Sequence, residues 1–133
     1  VGSLRYDKIL SFNSANDKLD FENTPVAVGA NSATTVTLAG NASATVQSDA
    51  NGKITFSTLD GTLAEELAAV RALVTTDGEV AFFELSDGVN GVGTYVYQEN
   101  TGDGKDLFVF LKGVQNIADI SNSSGDADTL FIF

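Results

Sequence analysis

Three segments, Glu79 to Leu85 (EVAFFEL), Gly93 to Gln98 (GTYVYQ) and Leu107 to Lys112 (LFVFLK), are dense in Val, Phe and Tyr. Turn-rich stretches, Ser86 to Val92 and Glu99 to Asp106, separate them. Strands at this spacing form an antiparallel meander. A strand with one face in water alternates apolar and polar side chains, and Leu107-Phe108-Val109-Phe110-Leu111 does not alternate. That run predicts a central strand covered on both faces.

Ahead of the meander the periodicity changes. Thr62 with Glu65 three positions later spells a capping box. Leu63, Leu67, Val70 and Val74 then recur at helical spacing, which predicts one helix with those residues buried and with Glu66 and Arg71 elsewhere on the wheel. Asp77-Gly78 stops it. Further upstream, Leu4 to Phe12 and Asp17 to Phe21 read as two short strands joined by an Asn13–Asn16 turn. Thr34 to Ala39 is β-prone, and Ala44 to Gln47 with Lys53 to Thr58 reads as a hairpin turning at Asn51-Gly52. The Ala, Ser, Thr, Gly and Asn bias between Thr24 and Ala50 predicts a plain surface region or an insertion. Gln115 to Ile120 reads as a short helical turn, and Asn122 to Asp128 as a polar turn before Thr129 to Phe133. The expected fold is mainly β with one helix, a β-sandwich or a β-roll-like antiparallel sheet. One domain spans 1–133: strands in 1–22, a variable β region in 23–60, and the helix with its meander in 61–133.

Composition limits the chemistry. Eighteen acids against seven bases give a net charge of −11. Phosphate backbones and anionic lipid surfaces are repelled by such a chain, so neither nucleic acid nor membrane is an expected partner. Cys and His are absent, which removes thiol nucleophiles, the Ser-His-Asp relay and the usual zinc sites. Oxygen coordination of hard cations and carboxylate chemistry remain. No stretch approaches the ~20 apolar residues of a membrane-spanning helix, and no signal-peptide pattern is legible at its start. An opening Val1-Gly2-Ser3, without Met, reads as a processed chain or a fragment.

The acids group in two places. Asp7, Asp17 and Asp20 alternate with apolar residues and can line one edge, a candidate calcium site. Asp103 and Asp106 lie in Glu99-Asn100-Thr101-Gly102-Asp103-Gly104-Lys105-Asp106. With Gly104 at the invariant glycine of an EF-hand, the twelfth position falls on Phe110, which cannot supply the bidentate carboxylate, so this is not an EF-hand. Glu65/Glu66 and Glu79/Glu84 are the carboxylate pairs available for acid-base work, but adjacent helical glutamates are the common signature of a solvated first turn. No enzyme is expected. The sequons Asn41-Ala42-Ser43 and Asn122-Ser123-Ser124 match easily by chance.

The sequence ends in Asp126 and Asp128, then Leu130-Phe131-Ile132-Phe133. This acidic-then-apolar segment is both a candidate final strand and a candidate uncleaved export signal. Asp7-Lys-Ile-X-X-Phe12 and Asp17-Lys18-Leu19-Asp20-Phe21 resemble the segment after the glycine-rich repeats of RTX proteins. The Leu63–Val74 helix, Gly78 to Phe83, Thr94 to Tyr97 and Gly104 to Val114 follow in an order similar to the C-terminal domains of RTX-type, S-layer-like bacterial surface proteins. The resemblance covers about two thirds of the chain and leaves out Glu22 to Asp60; the Gly-Gly-X-Gly-X-Asp calcium nonapeptides are absent. It implies a non-catalytic domain, exported by a type I (ABC) exporter as its partner and placed outside the cell or on its surface. Calcium binding is implied for a parent protein upstream, calcium is a candidate cofactor of this chain at the acids named above, and residues 126–133 carry the secretion signal. Two rival expectations stand beside it: a subunit that self-assembles through strand edges into a surface layer or filament, and a carbohydrate-binding sandwich using Tyr95 and Tyr97 as a stacking platform.

Overall fold

A computed structural model describes residues 6–21, 24–29, 34–37, 43–56, 62–87, 91–100, 106–118, 120–123 and 126–132. Among these described residues eleven strands and one helix follow in the order β1 (Asp7–Ile9), β2 (Leu19–Asp20), β3 (Val26–Ala27), β4 (Thr34–Thr37), β5 (Ser43–Ser48), β6 (Ile54–Phe56), α1 (Leu63–Leu73), β7 (Glu79–Asp87), β8 (Gly91–Gln98), β9 (Leu107–Lys112), β10 (Ile120–Ser123) and β11 (Asp126–Ile132). The chain is mainly β with one helix, as its sequence predicts. The central sheet has the order β1-β9-β8-β7-β3, and sheets β10-β11-β2 and β4-β5-β6 accompany it.

The β7-β8-β9 meander is antiparallel. β1 and β3 join it in parallel at its two edges, so the sheet is mixed. Consecutive side chains of a strand point to opposite faces, and both faces are buried. Ala81, Phe83, Tyr95, Tyr97, Phe108 and Phe110 pack with Leu67, Ala69, Val70 and Val74 of α1 and with Val46 and Ile54 of the β4-β5-β6 sheet. Val80, Phe82, Val96, Val109 and Leu111 pack the opposite way, with Leu19, Phe21, Ile117, Ile120 and Ile132. The unbroken apolar run in β9 is the local signature of this three-layer arrangement.

The helix-side face is an aromatic layer. Phe83 and Tyr95 are direct cross-strand partners and stack at 5.4 Å. Tyr95 lies 4.5 Å from its partner Phe110 and 5.2 Å from Phe108. Tyr6 meets Tyr95 and Phe108 edge-on at 5.7 and 5.6 Å. Such pairs contribute about 0.5–1.5 kcal/mol each beyond their buried area. Gly93 makes room for this layer, since a Cβ there would stand 2.5 Å from the Phe110 ring and from the Leu111 carbonyl oxygen.

α1 begins as expected. The Thr62 side chain accepts from the Glu65 N–H, and the Glu65 carboxylate accepts from the Thr62 N–H. One expectation fails: Glu66 is 5% exposed. It stands one turn before Val70 and beside Leu67, inside a buried stripe wider than the four-residue pattern implied.

The stretch from Thr24 to Ala50 is no plain surface region, since Val28 and Val46 enter the core. The Asn51-Gly52 turn forms as predicted. The Asp49 carboxylate accepts from the Asn51 and Lys53 N–H groups at 2.9 Å each, and Gly52 takes φ +83°, where glycine is at ease. This turn seals the central sheet. β3 covers the outer edge of β7 at Glu79 and Val80, and the Val28 N–H adds a bond to the Val80 carbonyl. Lys53 then bridges Phe82, whose N–H donates to the Gly52 carbonyl.

Three further expectations change. β1 and β2 do not pair with each other; β1 joins β9 and β2 joins β11. The 115–118 stretch is not helical, because Gly113 and Asn116 take left-handed φ of 79° and 58°. Residues 122–128 are largely two strand ends rather than a turn, with β10 and β11 antiparallel and a register shift at Asn122/Ser123.

Two substitutions test this packing in denaturant melts. Gly93→Ala is expected to cost about 2–3 kcal/mol by overpacking the Phe110 ring, whereas Gly29→Ala, with nothing within 4 Å of its Cβ, stays within about 0.5 kcal/mol of the parent. Ile132→Ala is expected to cost about 2–4 kcal/mol by opening a cavity in the second core. A loss below about 0.5 kcal/mol would mean that β11 is not seated as described.

Candidate functional site

The segment singled out at the end of the sequence becomes β11, the inner strand of its sheet. Ile132, Phe131 and Leu130 lie opposite Ile120, Ser121 and Asn122 of β10. On the other side Thr129 and Leu130 lie opposite Asp20 and Leu19 of β2. Ile132 is fully buried among Val80, Phe82, Val96 and Val109. Asp126 opens the strand opposite Ser123, Asp128 lies within it, and Phe133 falls outside the described residues. The acidic-then-apolar segment becomes a strand paired with β10 and, at Thr129 and Leu130, with β2.

Of the five acids named as calcium candidates, four fall among the described residues, and they lie in three places. Asp7, on edge strand β1, and Asp106, just before β9, share a shallow pocket of about 200 Å³ with Tyr6, Leu107 and Phe108. Parallel pairing brings them there, because Asp7 stands in register with Val109. Asp17 serves its own turn, accepting from the Asn13 N–H at 2.8 Å while the Asn13 carbonyl accepts from the Asn16 and Asp17 N–H groups. Asp20 is exposed on β2 in the opposite layer, and Asp103 lies outside the described residues. Among the described residues no three acidic, His or Cys side chains converge as a metal-binding group.

Asp106 has another partner. Arg71, in the last turn of α1, donates to its carboxylate at 2.9 Å. The same guanidinium lies 5.7 Å over the Tyr97 ring, and the Tyr97 hydroxyl donates to Glu99. Burial and that bond to Glu99 push the Tyr97 hydroxyl far above the ordinary phenol range, so it stays protonated. This polar cluster pins the end of α1 to the ends of β8 and β9.

The carboxylate pairs separate into structural roles. Glu65 closes the capping box. Glu79 accepts from the Thr75 and Thr76 N–H groups. Glu84 accepts from the Ile117 N–H and meets the Lys53 ammonium at 3.5 Å. Lys53 also donates to the Ile117 carbonyl, and the Asn51 amide donates to the Ala118 carbonyl, so the Asp49–Lys53 turn grips the chain leaving β9. Tyr95 and Tyr97 share one strand face as expected, but both are fully buried and present no stacking platform. Asn41 falls outside the described residues, and Asn122 lies in β10.

Two features went unread in the sequence: the buried Glu66, and the Arg71–Asp106 contact. The first had a signal in the helical spacing of Glu66 from Val70. The second joins residues 35 apart and left no local trace. Among the described residues no helix is long and apolar enough to cross a membrane. No protein-family model, no curated protein and no solved structure matches this chain.

Proposed function

We propose that this chain is a non-catalytic, secretion-associated domain of an RTX-type, S-layer-like bacterial surface protein, exported by a type I system and addressed by residues 126–133. The observation that supports this reading best is the position of β11 between β10 and β2. In the folded domain that segment is engaged: β10 pairs most of it, β2 pairs Thr129 and Leu130, and Ile132 is buried. An exporter meets it before folding, with these groups still open. After release Ile132 joins the second core.

A second line of support comes from where the RTX-like segments fall. Asp7–Phe12, Leu63–Val74, Gly78–Phe83, Thr94–Tyr97 and Gly104–Val114 supply β1, α1 and parts of β7, β8 and β9, while Asp17–Phe21 and Asp128–Phe133 supply β2 and most of β11. They supply most of the central sheet and the helix, while the stretches outside the resemblance supply β3, the β4-β5-β6 sheet and β10. The assembly reading has less to stand on. β1 is three residues long and carries Asp7 and Lys8, and β3 is two residues long and follows Pro25. Short, charged or proline-flanked edges discourage strand addition.

The test is export of a passenger fused ahead of the full chain, in cells with and without a type I exporter, beside a version ending at Ala127. Exporter-dependent appearance of the first fusion in the medium, with the second retained, is the expected result. Equal retention of both, or equal release of both, would remove the reading.

A further inference from the structure

Glu66 is a carboxylic acid in an unusual place. It is 5% exposed, and its Oε2 has no hydrogen-bond partner. Among the described residues, the elements packed against α1 offer it no counter-charge. β4 and β5 contain no ionisable residue, and between Thr24 and Gly61 the sequence holds a single base, Lys53. The Lys53 ammonium is engaged by Glu84 and by the Ile117 carbonyl. β7 contributes only acids: Glu79, held by the Thr75 and Thr76 N–H groups, Glu84, and Asp87 at its far end. On the helix itself Glu65 is a second carboxylate, and Arg71 is directed to Asp106 and Tyr97. An anion at Glu66 would lose its hydration and gain no cation in return.

The geometry points to a proton-dependent docking of α1: with Glu66 neutral the helix seats against the β4-β5-β6 sheet, and release of that proton to solvent loosens it. This inference stands on the helix and its neighbours alone and is independent of the export reading. Burial first, and the Glu65 charge second, push the Glu66 carboxyl from 4.5 up to about 7. A carboxyl whose folded pKa is raised favours the docked state fully below the unfolded value. That advantage is lost as pH climbs from 4.5 to about 7, and above that the docked helix carries a buried anion.

The test is native-state hydrogen exchange of the α1 amides in the full chain, corrected for intrinsic rates, at about pH 5 and about pH 8.5. The opening constant of α1 is expected to rise by roughly tenfold to a hundredfold between them. In Glu66→Gln and Glu66→Leu the rise should vanish, because nothing is left to ionise. Carboxyl carbon NMR on the unsubstituted chain gives a second readout that needs no variant, a Glu66 titration centred near neutrality. An equal rise in both variants, or a Glu66 carboxyl titrating in the ordinary glutamate range, would overturn the proposal.

Discussion

Everything in this molecule is arranged around a sheet that has no solvent face. β7, β8 and β9 carry large apolar side chains up and down, so none of the three strands can be left uncovered without exposing several aromatic or branched residues at once. The interlock of Phe83, Tyr95, Phe108 and Phe110 fixes one covering layer. Rings in van der Waals contact across neighbouring strands tolerate little sliding, so strand register and helix position are set together. The opposite face is smoother, built from Val80, Phe82, Val96, Val109 and Leu111, and it is closed by segments drawn from the two ends of the sequence.

That difference separates what could be read in advance from what could not. The helix was legible because its signals are local: Thr62 and Glu65 cap it, and Leu67, Val70 and Val74 repeat at its period. The Asn51-Gly52 turn was legible because a left-handed backbone narrows the choice of residue. The meander was legible because both of its faces are apolar. Partner choice was not. Asp7-Lys8-Ile9 and Leu19-Asp20 are too short to specify a neighbour, and each pairs with a strand about a hundred residues away in sequence. The helical reading of 115–120 failed at Asn116, whose left-handed φ breaks any helix and whose chemistry tolerates that region without announcing it.

The candidate site followed the same division. The acidic-then-apolar end of the sequence announced a strand, and β11 is one, but nothing in it indicated an inner rather than an edge position. The acids were legible as acids only. Whether two carboxylates meet depends on which strands become neighbours, and parallel pairing of β1 with β9 brought Asp7 to Asp106 while leaving Asp20 in another layer and Asp17 in its own turn. Sequence placed Glu66 in a solvated first turn, and it is the wide apolar stripe of α1 that draws it inside.

The outer margin of β7 is closed by two separate pieces laid end to end, residues 26–28 and then 52–53. Each piece is anchored by side chains of its own as well as by its backbone: Val28 in the first core, and Asn51 and Lys53 on the chain leaving β9. Until both have landed, the uncovered part of the margin is a row of open amides and carbonyls, the kind of edge to which another strand can add.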